Sequence, residues 1–372
     1  MNARAVAVEA LRRIDDGAYA NIVVPSMLSK GDLAPADRRF VTDLVYGTTR
    51  RRRAIDVVVD RFVDVAPDAD TRRLLRLGTF QLVYGGVAPH AAVAETVSLA
   101  PRRTRGFVNA VLRRVAEQIA EPGGLPGPWP SPWAALSYPD WLAERLVADL
   151  GHDDAVAALA RMNDAPPVRT RADGYVLDLA SQWVADAVDA AAGERVVDLC
   201  AAPGGKATAI AARGAAVVAA DARAARVRLM ASNASRLGAE LGVCVADGRR
   251  PPFRPGSADA VLVDAPCSGL GALRRRPDAR WRISEADVVD LVSLQADLLA
   301  AAAGLVRPGG QLVYAVCTLL DVESLDHATP DGFVDDDRPP PGTWRRVRQG
   351  WRVLPHDADT DGMTMIRYRR AS

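Results

Sequence analysis

Apolar residues in this chain follow two different periods, and the change between them divides it. Up to about residue 121 they recur at helical spacing. Ala7, Ala10, Leu11 and Ile14 share one face, Phe40, Leu44 and Val45 another, and Ile55, Val58, Val59 and Phe62 a third. Further helical segments fall at 74–84, 91–99 and 107–119, with turns at 31–35, 85–89 and Pro101. This predicts a small all-helical bundle. Beyond residue 181, short apolar runs at 195–199, 216–220, 242–246, 260–263 and 311–315 alternate with helical segments, which predicts a doubly wound α/β sheet. Between the two lies a proline- and glycine-rich stretch at 122–132 that cannot continue a helix. The expected domains are therefore a helical one at 1–121, a linker at 122–133, a short helical connector at 134–180 and the α/β domain at 181–372.

With 372 residues, 49% hydrophobic and 25% charged, the chain is long and apolar enough for real cores, and collagen-like, disordered and membrane-embedded classes are excluded. Its longest apolar stretches look too short for a bilayer, and the beginning lacks the uninterrupted apolar core of a secretory signal. The expected location is cytoplasmic, with no membrane partner and no oligomer implied. Cys200, Cys244, Cys267 and Cys317 have neither paired spacing nor nearby histidines, so no disulfide framework and no metal site are expected. Net charge is only +1, but residues 1–121 hold 19 Arg and Lys against 14 Asp and Glu, a bias that permits nucleic-acid contact. Lys206 is one of two lysines beside 45 arginines, which invites a chemical explanation.

In doubly wound sheets ligands bind beyond the carboxyl ends of the strands, where strand order reverses. The first strand runs into Asp198-Leu199-Cys200-Ala201-Ala202-Pro203-Gly204-Gly205-Lys206, a turn of small residues that lets backbone approach a ligand. The second ends at Asp221, 23 residues after Asp198, close to the spacing at which an acid holds ribose hydroxyls. The third ends at Asp247 and the fourth at Asp264. Neither Gly-x-Gly-x-x-Gly nor Gly-x-x-x-x-Gly-Lys-Ser/Thr is present, which disfavours a nicotinamide or nucleoside triphosphate. S-adenosylmethionine, an adenosine ligand without a pyrophosphate, fits better.

Two thiols stand at the same edge: Cys267 in Asp264-Ala265-Pro266-Cys267-Ser268-Gly269, and Cys317 just after the run at 311–315. Cys244 and Cys200 fit core filler. Carbon 5 of cytosine becomes nucleophilic only after a thiolate adds to carbon 6, and a second ionisable group then helps remove the carbon 5 proton. Asp264 is suited to the base's N3 and N4 edge. Arg274, Arg275, Arg276, Arg280 and Arg282, with Trp281, suggest a loop that grips RNA phosphates and stacks on bases.

These motifs, with Arg275-Arg276-Pro277-Asp278 and Leu312-Val313-Tyr314-Ala315 leading into Cys317, resemble the bacterial RsmB/Sun group of 16S ribosomal RNA cytosine-5 methyltransferases. The first third resembles that group's NusB-like domain through Asp43-Leu44-Val45-Tyr46-Gly47-Thr48, Leu75-Arg76-Leu77-Gly78, Pro89-His90-Ala91-Ala92-Val93 and Gly106-Phe107-Val108-Asn109-Ala110-Val111-Leu112-Arg113-Arg114. The resemblance implies an all-α NusB-like domain followed by a Rossmann-like S-adenosylmethionine-dependent methyltransferase domain. It further implies that Cys200, Ala201, Ala202, Pro203, Gly204, Gly205, Lys206, Asp221, Asp247 and Asp264 line the S-adenosylmethionine site. Cys317 would be the nucleophile and Cys267 would aid release, an assignment that spacing alone leaves open.

Two departures stand out. Val316 occupies a position where the group usually has Thr, and residues between Pro167 and Asp178 are too few for the group's ferredoxin-like RNA-recognition subdomain. Competing readings are an RNA-binding, antitermination-like protein with a decayed catalytic half, and a methyltransferase acting on transfer RNA, other RNA or protein.

Overall fold

The computed structural model describes residues 2–120 and 127–372, so positions 122–126 of the expected linker lie outside the described residues. The chain forms two compact units: residues up to Glu144 together with Arg275–Arg282, and Arg145–Arg274 together with Ile283–Ser372.

The first unit is helical, with helices at Ala3–Asp15, Ala20–Lys30, Pro35–Arg50, Arg52–Asp60, Ala69–Val83, Pro89–Ser98 and Arg105–Ala120. Local chemistry starts them: Asn2 and Asp68 side chains accept backbone N–H groups of the first turns, and Pro35 and Pro89 open their helices. Leu44, Val45, Ile55, Leu75, Leu77, Val108 and Leu112 fill the core. Two glycines inside helices are explained by packing, since a Cβ on Gly47 would lie 2.0 Å from the Phe80 ring and one on Gly78 2.5 Å from Leu112. The unit extends past the expected boundary because proline interrupts a helix without preventing packing. The short helix Pro132–Ala135 and its neighbours stay with it, Ser137 Oγ accepting the Arg53 N–H at 3.0 Å and the Arg53 guanidinium bonding Asp140 at 2.8 Å.

In the second unit one mixed sheet is built from β1 (Arg195–Asp198), β2 (Ala216–Asp221), β3 (Leu241–Val245), β4 (Ala258–Asp264), β5 (Val306–Val316), β6 (Phe333–Asp335), β7 (Arg345–Val347), β8 (Gly350–Val353) and β9 (Met363–Arg370). Its order is β3-β2-β1-β4-β5-β9-β8-β7, with β6 also paired to β9. The five expected strands form the parallel half, and strand order reverses between β1 and β4. Alternate residues feed two layers: Val196, Leu262 and Val313 pack with the helices Leu179–Asp186 and Gly205–Ala211, while Val197, Val261 and Leu312 pack with Glu285–Leu305.

The antiparallel half, β6 to β9, is absent from the pattern expected of the sequence. Arginines interrupt its apolar period, yet Arg352 and Arg367 are buried and neutralised by Asp321 at 2.5 Å and Asp336 at 3.0 Å. The helix Glu285–Leu305 also corrects the expectation about apolar length. It is long and apolar enough, by length and composition, to cross a membrane. Leu298, Leu299 and Ala302 are buried against the sheet.

Candidate active site

The loops leaving β1 and β4 flank the point where strand order reverses. Lys206, one residue into the helix Gly205–Ala211, reaches across to place Nζ 2.7 Å from Asp264 Oδ2 at the end of β4. Burial opposes the ammonium charge, but Asp264 outweighs it and holds Lys206 above the ordinary lysine range, with smaller help from Cys317 and Asp198.

Gly204 turns the chain at φ +101°, and a Cβ there would meet Met230 at 2.9 Å, so both conformation and space require glycine. The turn is fixed from outside. Ala201 N–H bonds the Ala220 carbonyl at 2.9 Å, Arg226 donates to the Ala202 carbonyl, and Asn233 donates to the Pro203 carbonyl at 2.9 Å. Asp198 is wholly buried, and among the described residues neither carboxyl oxygen has a well-formed hydrogen bond. Burial, and next Asp264, push its carboxyl up to about 8. Asp221 is buried at the end of β2, accepting Arg223 N–H at 2.9 Å and pairing with Arg226 at 3.3 Å.

The two thiols meet. Cys267 Sγ and Cys317 Sγ are 3.4 Å apart, both half-buried. Their loops are joined by Ala265 N–H to the Ala315 carbonyl and Gly271 N–H to the Cys317 carbonyl, each at 2.9 Å. A Cβ on Gly271 would lie 2.0 Å from the Gly362 carbonyl oxygen, so only glycine lets the Cys267 loop pack against the segment that enters β9. The hydrogen bond to Cys317, burial, and the charges of Cys317 and Glu323 push the Cys267 thiol well above its ordinary range.

Known proteins carry the same two parts. Residues 185–367 match the family model 16S rRNA methyltransferase RsmB/F, and residues 1–117 match the NusB family. The Mycobacterium tuberculosis "Putative methyltransferase Rv1407" is 37% identical over 85% of this chain and 83% of its own length. The Thermus thermophilus "Ribosomal RNA small subunit methyltransferase B" is 35% identical over 86% and 84%. The Synechocystis "Probable ribosomal RNA small subunit methyltransferase B" is 32% identical across the whole of both chains. The chain belongs to the RsmB/F methyltransferase family. The fold agrees, the crystal structure of PH0851 superposing on all of this chain with a TM-score of 0.78 at 23% identity.

S-adenosylmethionine is the cofactor of RsmB/F methyltransferases, and the residues here fit it. A buried Asp198 whose carboxyl oxygens lack a well-formed hydrogen bond among the described residues suits a cationic ligand, and the crowded Gly204 turn brings backbone to the same place. Other expected residues behave differently. Asp247 is exposed and held at about 2 by Arg249, 2.7 Å away. Cys200 is half-buried, and burial pushes its thiol up, as suits a packing residue. Cys244 lies within β3. Among the described residues no group of three His, Cys, Asp or Glu is placed to hold a metal ion.

The arginine loop is largely internal, which corrects its expected presentation to RNA. Arg274 is buried in the second unit, bonded to Asp359 at 2.7 Å and to the Ala165 carbonyl at 3.0 Å. Arg280 is fully buried in the helical unit, its guanidinium 4.0 Å from the Tyr138 ring centroid and bonded to the Arg50 and Ser137 carbonyls. Trp281 donates to the Thr49 carbonyl at 2.7 Å, and Arg282 to the Gly17 carbonyl at 2.7 Å. A charge taken from water must find carbonyls or acids, and these have. Arg276 is exposed and Arg275 half-buried.

Sequence reasoning missed Glu323, Gln295, Ser268 and Thr318, which lie behind the thiols, and Arg171 and Tyr175. The short segment after Pro167 forms a hairpin with Thr170 bridged to Val176. From it Arg171 donates to the Gly205 carbonyl, and a Cβ on Gly205 would meet Tyr175 at 2.8 Å, so this segment backs the cofactor turn. Its sequence signal is the small number of residues between Pro167 and Asp178. The alignment with the Synechocystis relative spans 448 positions against 372 residues here, so that relative carries segments this chain lacks.

Proposed function

We propose that this chain transfers a methyl group to carbon 5 of a cytosine in 16S ribosomal RNA through a covalent adduct on Cys317. The observation that carries this reading is the pair of sulfurs 3.4 Å apart, next to the Lys206–Asp264 contact at 2.7 Å. The Cys317 thiolate adds to carbon 6, forming the S–C6 bond, shifting the C5–C6 π pair into C4–C5 and the C4–N3 π pair onto N3, where Asp264 receives the N3 and N4 edge and Lys206 offsets the charge. Bound S-adenosylmethionine supplies the electrophilic methyl group.

Cys267 then serves release. While Cys317 is bonded to carbon 6 it is neither an anion nor a hydrogen-bond partner, so two influences that keep Cys267 protonated disappear. Cys267 loses its proton to solvent, takes the proton from carbon 5, and the C5–C6 double bond reforms as the S–C6 electron pair returns to Cys317. The test is methyl transfer from labelled S-adenosylmethionine to unmodified 16S transcript, expected with the native chain and lost with Cys317→Ala. Normal methylation by that variant would remove the nucleophile assignment.

A different RNA target has one supporting observation, that the segment around Thr170–Val176 forms a single short hairpin. Bisulfite-read RNA from cells with and without the gene separates the two targets, since only one RNA class would lose its modified cytosine.

A further inference from the structure

Glu323 is wholly buried in the turn Asp321–Glu323 that follows β5. Its Oε1 accepts the Ser268 N–H at 2.7 Å and Gln295 Nε2 at 3.1 Å, and its Oε2 accepts the Ser268 hydroxyl at 2.5 Å. These bonds run from the loop beyond Cys317 to the residue beside Cys267. Ser268 Oγ also meets Thr318 Oγ1 at 3.0 Å, Tyr314 donates its hydroxyl to the Glu323 carbonyl at 2.7 Å, and Gln295 donates to the Pro266 carbonyl at 2.9 Å.

A carboxylate is costly to bury, and this one accepts bonds from neutral donors only among the described residues. Its charge therefore acts outward, on the neighbouring thiol. The groups around the sulfurs are unevenly arranged. Cys267 has Glu323, Cys317 and the Tyr314 phenol about it, whereas Cys317 interacts with the Lys206 ammonium, which in turn holds Asp264. His327, next to Gln295, has its ring held toward the neutral form by burial and adds little cationic charge to offset Glu323.

We infer that Glu323 is a positioning residue that clamps the two cysteine loops together and keeps negative charge off the Cys267 sulfur, leaving Cys317 to ionise first and attack. The inference rests on the two-thiol reading proposed above and explains why two cysteines 3.4 Å apart take different roles.

Alkylation by iodoacetamide, mapped by mass spectrometry on the full chain between pH 6 and 10 without RNA, tests it. In the native chain Cys317 is expected to react about tenfold faster than Cys267 near neutral pH. Glu323→Gln keeps an oxygen for the Ser268 N–H but loses the charge, so the preference should fall about threefold or more and Cys267 should react at lower pH. Glu323→Asp should restore much of the order. Ser268→Ala removes the hydroxyl bonds to Glu323 and Thr318 but leaves the backbone N–H bond and the charge, so it loosens the clamp and should keep the order while lowering kcat with KM for S-adenosylmethionine unchanged. Melting temperature and S-adenosylmethionine calorimetry verify that each variant is folded. An unchanged order and pH profile in folded Glu323→Gln overturns the inference, and so does an order lost in Ser268→Ala. Failure of the Cys317→Ala test on RNA would remove the cytosine chemistry while leaving the alkylation order standing, so the two failures are separable.

Discussion

Lys206 Nζ lies 2.7 Å from Asp264 Oδ2, and that contact ties the loop leaving β1 to the end of β4 at the place where strand order reverses. A lysine in a chain built almost wholly with arginine is explained there. Its ammonium there acts as a compact point charge, bonding Asp264 Oδ2 and, at 3.4 Å, Ser181 Oγ.

Because the two groups act as one, their losses should not multiply. Lys206→Ala and Asp264→Asn are each expected to slow single-turnover methyl transfer about a hundredfold. The double variant should be little worse than either single one. A double variant slowed by the product of the two factors would mean that they work independently.

Donor binding should depend on pH through Asp198. Its carboxyl is held at about 8, above the ordinary value of 3.8, so the folded chain keeps a proton that the unfolded chain gives up. This group's contribution to stability is complete below pH 4 and is lost as pH rises through about 8. Binding of cationic S-adenosylmethionine runs the other way, because it favours the ionised carboxylate. Calorimetry should show affinity rising between pH 6 and 8 by up to about tenfold per unit, flattening above, with the dependence removed in Asp198→Asn. An affinity flat across that range in the native chain would refute the role of Asp198.

Cys267→Ala should trap the reaction after methyl transfer. Cys317 would still attack, but no neighbouring sulfur would take the carbon 5 proton. A slowly released RNA adduct is expected as a shifted band on a denaturing gel, absent in the variant that also carries Cys317→Ala. Absence of any adduct under turnover conditions would count against the release role.

Arg280 and Arg276 should separate packing from RNA contact. Arg280, buried over Tyr138, is expected to cost about 2–4 kcal/mol as Arg280→Ala, read as a lowered melting temperature of the helical unit. The exposed Arg276 should leave melting unchanged as Arg276→Ala and reduce the salt dependence of RNA binding by about one ion. An unchanged melting temperature with lost RNA affinity in Arg280→Ala would restore the phosphate-gripping role to that residue.

Local patterns carried a good deal of this protein. Continuous apolar runs in β1, β2, β4 and β5, alternating with helical segments, announced a parallel sheet because both faces of each strand are buried by helices. The acids and thiols that follow those strands were legible because a parallel sheet collects its carboxyl-end loops at one edge. The antiparallel half was hidden, since Arg352 and Arg367 read as surface residues until Asp321 and Asp336 are brought to them. Arg280 looked available for phosphate because its partners, the carbonyls of Arg50 and Ser137, lie far away in the chain. Glu323 gave no signal at all. Its meaning comes from Ser268, 55 residues earlier, and Gln295, 28 residues earlier. The sequence by itself determined the elements and the edge at which chemistry gathers, because periodicity and turns are local. Only the tertiary structure decided which charges are buried and which sulfur each charge acts on, because desolvation and Coulomb forces depend on distance in space and not along the chain.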